Sequence, residues 1–164
     1  MTTIGLLSDT HGFLDPGVVS FLASCNQIWH AGDIGSVAVL EELKKMKPTL
    51  AVAGNIDGAD IRVLCREVLV FEVEELKVVM IHIGGYPGRY SAAARQLIAR
   101  EKPGLFVCGH SHILKIIYDP GKEVLTVNPG AAGRSGFHQF ITALRFKIDG
   151  KRIFDMEVFE KTRV

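Results

Sequence analysis

The sequence predicts an α/β fold, and three observations carry that prediction. Apolar runs of strand length alternate with stretches whose apolar residues recur at helical spacing. Each of these runs ends in a short loop carrying glycine. After His112 the pattern changes to alternating apolar and polar residues separated by turn signals. Strands alternating with helices, followed by a meander, imply a mixed architecture in which helices cover sheet faces. Periodicity by itself leaves open how the sheets stack.

Residues 3–7 read as a buried strand ending at Ser8. Asp15 and Pro16 then supply an N-cap and first-turn proline for a helix through Val19, Leu22 and Ala23. Residues 27–30 form a second strand and 32–35 a loop. Ser36 caps a helix that carries Val37, Leu40, Leu43 and Met46 on one side and ends at Pro48. A third strand, 50–53, runs into Gly54 and Asn55. A fourth, 78–81, runs into His82 and pairs with a strand at 68–73. Ser91 caps a helix with Ala94, Leu97 and Ile98 facing inward, closed by Pro103 and Gly104 before a strand at 105–108. Beyond His112, Asp119-Pro120-Gly121 and Asp149-Gly150 mark turns between antiparallel strands.

At 164 residues, 48% of them hydrophobic and 23% charged, the chain has the length and balance of one globular domain, 1–164. The longest apolar runs are far short of the roughly 20 residues of a membrane span. The N-terminus lacks the charged start and long apolar stretch of a leader, so a cytoplasmic location is expected. A net charge of +1 with no lysine or arginine cluster argues against an extended nucleic acid or a membrane surface as partner. The sequence leaves open whether the chain forms a homo-oligomer. Cys25, Cys65 and Cys108 form no CxxC pair and no even set, so they read as buried thiols.

Side chains able to bind metal fall in the loops after the strands: Asp9 and His11, Asp33, Asn55, His82, then His110 and His112. Successive loops lie 22 to 28 residues apart, about one strand plus crossover, so all five can reach one sheet edge. In Asp9-Thr10-His11 and His110-Ser111-His112, the alternation of an extended chain would put both ligands of a pair on one side. Nitrogen and oxygen donors without thiolate suit Mn, Fe, Co, Ni or Zn and disfavour a cysteine-zinc site. Two carboxylates and a bridging hydroxide carry about −3 against +4 for two divalent ions, which leaves a site matched to an anionic phosphoester.

Ser8-Asp9-Thr10-His11-Gly12, Gly32-Asp33, Gly54-Asn55, His82 after an apolar strand and Gly109-His110-Ser111-His112, in this order and spacing, resemble the calcineurin-like metallophosphoesterases. The resemblance is narrower to their small bacterial and archaeal phosphodiesterases, down to Asn128-Pro129-Gly130, and covers nearly the whole chain. It implies a four-layer αββα sandwich of two mixed sheets flanked by helices. It also implies two divalent metal ions, manganese foremost. One would take Asp9, His11, Asp33 and His112, the other Asp33, Asn55, His82 and His110, with Asp33 bridging. The activity implied is phosphodiester hydrolysis of a small phosphoester substrate by a metal-bridging hydroxide, to which Asp33, Asn55 and His82 contribute as ligands. The same resemblance admits two alternatives. One is a non-catalytic scaffold like the retromer subunit of this fold, whose metal site is degraded where this chain keeps seven ligand positions; the other is a nuclease or nucleotide phosphatase. Two departures stand out: Ile56 occupies the position where larger relatives place a histidine, and His82 is followed by Ile83 to Tyr90 where many small relatives read His-Gly-His.

Around these motifs, Arg89 offers a planar bidentate donor to a phosphate oxygen. His30 either finishes its strand or supports the ligands, and His138 reads as structural. Asp57 and Asp60 read as turn residues, and Cys108 as core. Tyr86 and Tyr90 could stack on a base or pack their loop. Gly133, Arg134 and Ser135 read as a surface turn.

Overall fold

A computed structural model describes residues 1–163. Two five-stranded sheets are built from ten strands. In the first, β10 (Arg152–Thr162), β9 (Phe140–Asp149), β1 (Thr2–Leu7), β2 (Gln27–His30) and β3 (Thr49–Ala51) lie in that order. In the second the order is β4 (Val68–Val73), β5 (Leu76–Ile81), β6 (Leu105–Val107), β8 (Val124–Pro129) and β7 (Leu114–Asp119). Both are mixed: β1 pairs β2 in parallel and β9 antiparallel, while β6 is parallel to both β5 and β8.

The near-continuous apolar strands are explained by burial on both faces. From β1, Ile4 and Leu6 enter the cluster between the sheets and Leu7 enters the cluster under α1 (Pro16–Leu22) and α2 (Val37–Met46). In β5 and β6, Val78, Met80, Leu105 and Val107 face the other sheet, whereas Val79 and Phe106 face α4 (Ala92–Glu101). Trp29 lies at the centre of the middle layer, edge-on to Phe71 and Phe146. The result is helix, sheet, sheet, helix, the four-layer arrangement that the motifs imply.

The predicted N-caps form at two helices and fail at a third. Asp15 caps α1 by accepting from Gly17 N–H, and Ser91 caps α4 by accepting from Ala94 N–H. Ser36 precedes α2 without a side-chain cap bond. The strand expected at 50–53 is β3, three residues long: Val52 N–H still donates to His30 O at 3.1 Å, but Val52 also bridges to Arg66, and Ala53 N–H turns away to Arg66 O. A one-turn helix, α3 (Ala59–Arg62), follows and leads into β4 in the second sheet. One expectation is corrected here. The five ligand loops do not share an edge of one sheet: Asp9, His11, Asp33 and Asn55 follow strands of the first sheet, and His82, His110 and His112 follow strands of the second.

Candidate metal centre

The ends of β1, β2, β5 and β6 meet where the two sheets abut, and cross-bonds lock their loops together. Asp9 N–H donates to Gly32 O at 2.9 Å, His11 N–H to Asp33 O at 3.0 Å, and Gly109 N–H to His82 O at 2.9 Å. Asp9 Oδ2 accepts from Ser8 Oγ at 2.6 Å and, across the sheets, from His110 N–H at 3.0 Å. Gly54 is required at its position because a Cβ there would lie 2.1 Å from Asp33 Oδ1.

Five of the predicted ligands have left-handed backbone: Asp9 (φ 54°), His11 (47°), Asp33 (55°), His110 (72°) and His112 (61°). Asp9 and His11 do converge, with His11 Nε2 3.7 Å from Asp9 Oδ1, but through this conformation and not through the alternation of an extended chain; His110 and His112 instead part, His112 joining Asp9 and His110 joining Asp33. Asp and His tolerate left-handed backbone better than most side chains, at a cost of order 1 kcal/mol each that the surrounding bonds offset.

Two groups of donors gather close enough to hold an ion: Asp9, His11 and His112, and Asp33, His82 and His110. Each draws on both sheets. His112 Nε2 is 3.1 Å from Asp9 Oδ1, and His82 Nε2 is 3.2 Å from Asp33 Oδ2. Asp33 Oδ2 is also 3.7 Å from His11 Nε2, so this carboxylate lies between the groups. Asn55 Oδ1 sits 3.1 Å from His110 Nδ1.

The residues fit a metal on a physical test. Asp9 Oδ1, His11 Nε2 and His82 Nε2 are buried with no hydrogen-bond partner, an arrangement that is expensive unless something else coordinates those lone pairs. Burial pushes the Asp9 and Asp33 carboxyls up, but His112, His82 and Ser8 around Asp9, and His82 with the Ile56 N–H around Asp33, together outweigh it and hold both below the ordinary range. Both are therefore anionic at neutral pH. His82 Nδ1–H donates to Ala31 O at 2.7 Å, so Nε2 is the nitrogen left to face the carboxylates or an ion. Burial pushes the pKa of this ring down, but Asp33 and Asp9 outweigh that and raise it, so an ion at Nε2 would take the place of a proton.

His138 acts in the same way on His112. Its Nε2–H donates to Gly133 O at 2.8 Å, so its Nδ1 accepts from His112 Nδ1–H at 3.1 Å and aims His112 Nε2 at Asp9. His30 is wholly buried: its Nδ1 accepts from Gly32 N–H at 3.1 Å and its Nε2–H faces Thr10 Oγ1 at 2.9 Å, while that hydroxyl donates to Ile34 O. It holds the first two ligand loops and does not merely finish a strand. Burial drives its pKa down to about 4.

Asp57 corrects a sequence expectation. It is no ordinary turn residue: its carboxylate is buried and accepts N–H bonds from Ile34, Gly35 and Gly54 at 3.1, 2.9 and 2.8 Å, tying the Asp33 loop to the Asn55 loop. In the sequence, Asp57-Gly58 looks like any turn, and nothing there marks it. Asp60 does keep a local role, accepting from Ile61 N–H. Asn128 braces the Gly109 to Ser111 segment by donating to Gly109 O and Ser111 Oγ at 2.9 and 3.1 Å.

Tyr90 packs: it is buried and its hydroxyl reaches Asp119 Oδ2 and Thr126 Oγ1, both at 2.9 Å. Arg89 is exposed on the wall of a cavity of about 220 Å³ that also borders His110. Arg134 stacks on Phe13 at the surface. Cys25, Cys65 and Cys108 are buried free thiols. The largest cavity described, about 610 Å³, opens beside Leu76 and Gly104, at the opposite ends of β5 and β6 from His82 and His110.

A sequence profile for the calcineurin-like phosphoesterase superfamily domain matches residues 2–151. The chain belongs to that superfamily. It is 31% identical over 137 residues to a probable metallophosphoesterase of Mycoplasma pneumoniae, covering 80% of this chain and 79% of the relative. Among solved structures, a single mutant of Vps29 from Entamoeba histolytica superposes with TM-score 0.77 at 13% identity, covering 98% of both chains. A novel archaeal phosphodiesterase superposes with TM-score 0.74 at 20% identity, covering 96% of this chain and 99% of the other. Likeness at such identities establishes the shared fold. The superfamily and the two donor groups make this a metallophosphoesterase-type chain with a candidate centre for divalent ions. Among the described residues no helix is long and apolar enough to cross a membrane.

Proposed function

We propose that the chain hydrolyses phosphodiesters at a dinuclear centre, with Asp9, His11, Asp33 and His112 around one ion, Asp33, Asn55, His82 and His110 around the other, and manganese the preferred metal. The observation that carries this reading is the set of orphaned buried donors, Asp9 Oδ1, His11 Nε2 and His82 Nε2, distributed over two groups with Asp33 Oδ2 between them. When bound, two divalent ions supply an activated water and the positive charge that a phosphoryl group needs. The protein's part is orientation. Ala31 O fixes the His82 ring and His138 fixes His112, while Ser8 Oγ and His110 N–H hold the second oxygen of Asp9.

A small phosphoester is the expected partner, and the archaeal phosphodiesterase of the same fold supports a diester. The Vps29 likeness supports the competing scaffold reading, in which the same pocket performs no chemistry. Assaying bis(4-nitrophenyl) phosphate after exhaustive chelation and after adding Mn²⁺ separates the two. Activity that vanishes and returns is the expected result. Turnover by metal-free protein, or none with Mn²⁺, Fe²⁺, Co²⁺, Ni²⁺ or Zn²⁺, sinks the proposal.

A further inference from the structure

Three cavities border the candidate metal centre, and their charges differ. One of about 460 Å³ beside His110 and His112 is lined by Ile113, Phe137 and His138 and carries no lysine, arginine or carboxylate. A second, about 200 Å³, beside Asn55 and His82, contains Arg62, but that guanidinium is neutralised by Glu67 and spent on Asp57 O and Gly54 O. The third, about 220 Å³, lies between His110 and the segment after His82. Its charged lining residues are Arg89 and Lys115, and no carboxylate joins them. Among the described residues neither cation forms a salt bridge.

This third cavity is firmly built. Tyr86-Pro87-Gly88-Arg89 is a tight turn closed by Arg89 N–H to Tyr86 O at 2.8 Å, with Gly88 at φ 87°, the position and sign a type II turn demands of its third residue. Ser91 N–H and Oγ bond back to Gly84 O and Ile83 O, so the loop is fastened at its far end. On the opposite wall, Lys115 of β7 holds its ammonium 3.5 Å from the Tyr86 ring centroid, which orients the charge without cancelling it. Ser111 Oγ accepts from Ile113 N–H and from Asn128, so its own hydrogen is free to be donated.

We infer that this cavity holds a second anionic group of the substrate, so that the preferred phosphoester carries a compact acid, a carboxylate or a further phosphate, on the ester arm that is retained. The inference rests on the phosphodiesterase reading for what happens beside it. Two cations on the walls of one cavity that no carboxylate lines leave a net positive charge there for an anion, and charge-assisted bonds are the strong ones. The size favours a compact group, because pockets for larger organic ligands run to about 300–1,000 Å³. A diester has two arms, and the other arm is left to the uncharged cavity of Ile113 and Phe137.

The test compares three aryl phosphodiesters with the same leaving group: the 4-nitrophenyl esters of phenyl, 3-carboxyphenyl and 3-phosphonophenyl phosphate, with Mn²⁺-loaded protein. The expected result is a kcat/KM about tenfold or more higher for at least one acidic ester, and the acid preferred distinguishes carboxylate from phosphate. In Lys115→Gln and Arg89→Gln that ratio should fall toward one. Equal kcat/KM for all three esters in the native protein, or a preference that survives both substitutions, overturns the inference. If no ester is hydrolysed the phosphodiesterase reading fails, and the cavity is then read by calorimetric titration of the metal-loaded protein. Binding of 3-carboxyphenylphosphonate or 1,3-phenylenediphosphonate about tenfold tighter than phenylphosphonate upholds it. Equal affinities, or no binding, reject it.

Discussion

Two side chains near the candidate centre, Ile56 and His30, bear on acid chemistry in different ways. Ile56 follows Asn55 at the rim and is 48% exposed, an apolar group where an acid could have protonated a departing alcohol. Neither nearby histidine replaces it, since both ring nitrogens of His30 face Gly32 and Thr10 and those of His138 face His112 and Gly133. Without general acid help, typically worth about 10²–10⁴-fold for poor leaving groups, single-turnover rates should fall steeply from nitrophenyl to alkyl esters. Ile56→His should raise the alkyl rates tenfold or more and leave nitrophenyl rates much less altered. A flat dependence in the native protein would show that an acid is already present. His30 gives a pH prediction. Its folded pKa, about 4, lies below its ordinary 6.5, so the unfolded chain binds the proton first as pH falls. Its contribution to stability is complete above about 6.5 and is lost between there and about 4, to the extent of roughly 3 kcal/mol. Urea unfolding of chelated protein at neutral pH and near pH 4 should therefore show a drop that is smaller by about that amount in His30→Gln. Identical pH dependence would refute it.

At the scale of elements, the site is a set of loops that could not hold their shape alone. Left-handed backbone at five ligand positions is offset by bonds within and between loops, and Asp57 accepts three of these, two of them from the Asp33 loop. Removing its carboxylate strands three N–H groups, two of them in the Asp33 loop. Asp57→Ala should cost about 3 kcal/mol or more in urea unfolding and reduce metal occupancy by elemental analysis, whereas Asp57→Asn, which keeps one accepting oxygen, should cost less. A loss below about 1 kcal/mol with full occupancy would mean that the ligand loops are held by their strands alone.

Across the whole molecule, each donor group takes residues from both sheets, so a bound ion would clamp the two halves of the sandwich at one end. The apolar layer between the sheets, with Trp29 and Phe146 in it, supplies the packing that holds them without metal. Binding to the folded state alone adds about 2.7 kcal/mol at a free metal concentration 100 times Kd. For a chain of this size that corresponds to a rise in Tm of roughly 5–10 °C. Scanning calorimetry of chelated and Mn²⁺-loaded protein measures it, and coincident melting curves would rule out a clamp of this strength.

Sequence alone determined the alternation of strands and helices, the strands at 27–30 and 68–73, and the residues gathered at the centre, because local pattern and the chemistry of Asp, Asn and His beside glycine are written residue by residue. The family resemblance, not the periodicity, brought the four-layer stacking. Tertiary structure decided that the loops come from two sheets, because α3 carries the chain from one to the other and no apolar period encodes that crossing. It also decided the roles of Asp57 and His30 and the place of Lys115 on a cavity wall. An aspartate before glycine, a histidine ending a strand and a lysine in a strand have ordinary local readings. Their importance lies in partners 20 or more residues away, or in a cavity wall shared with another loop, which only the folded chain brings within reach.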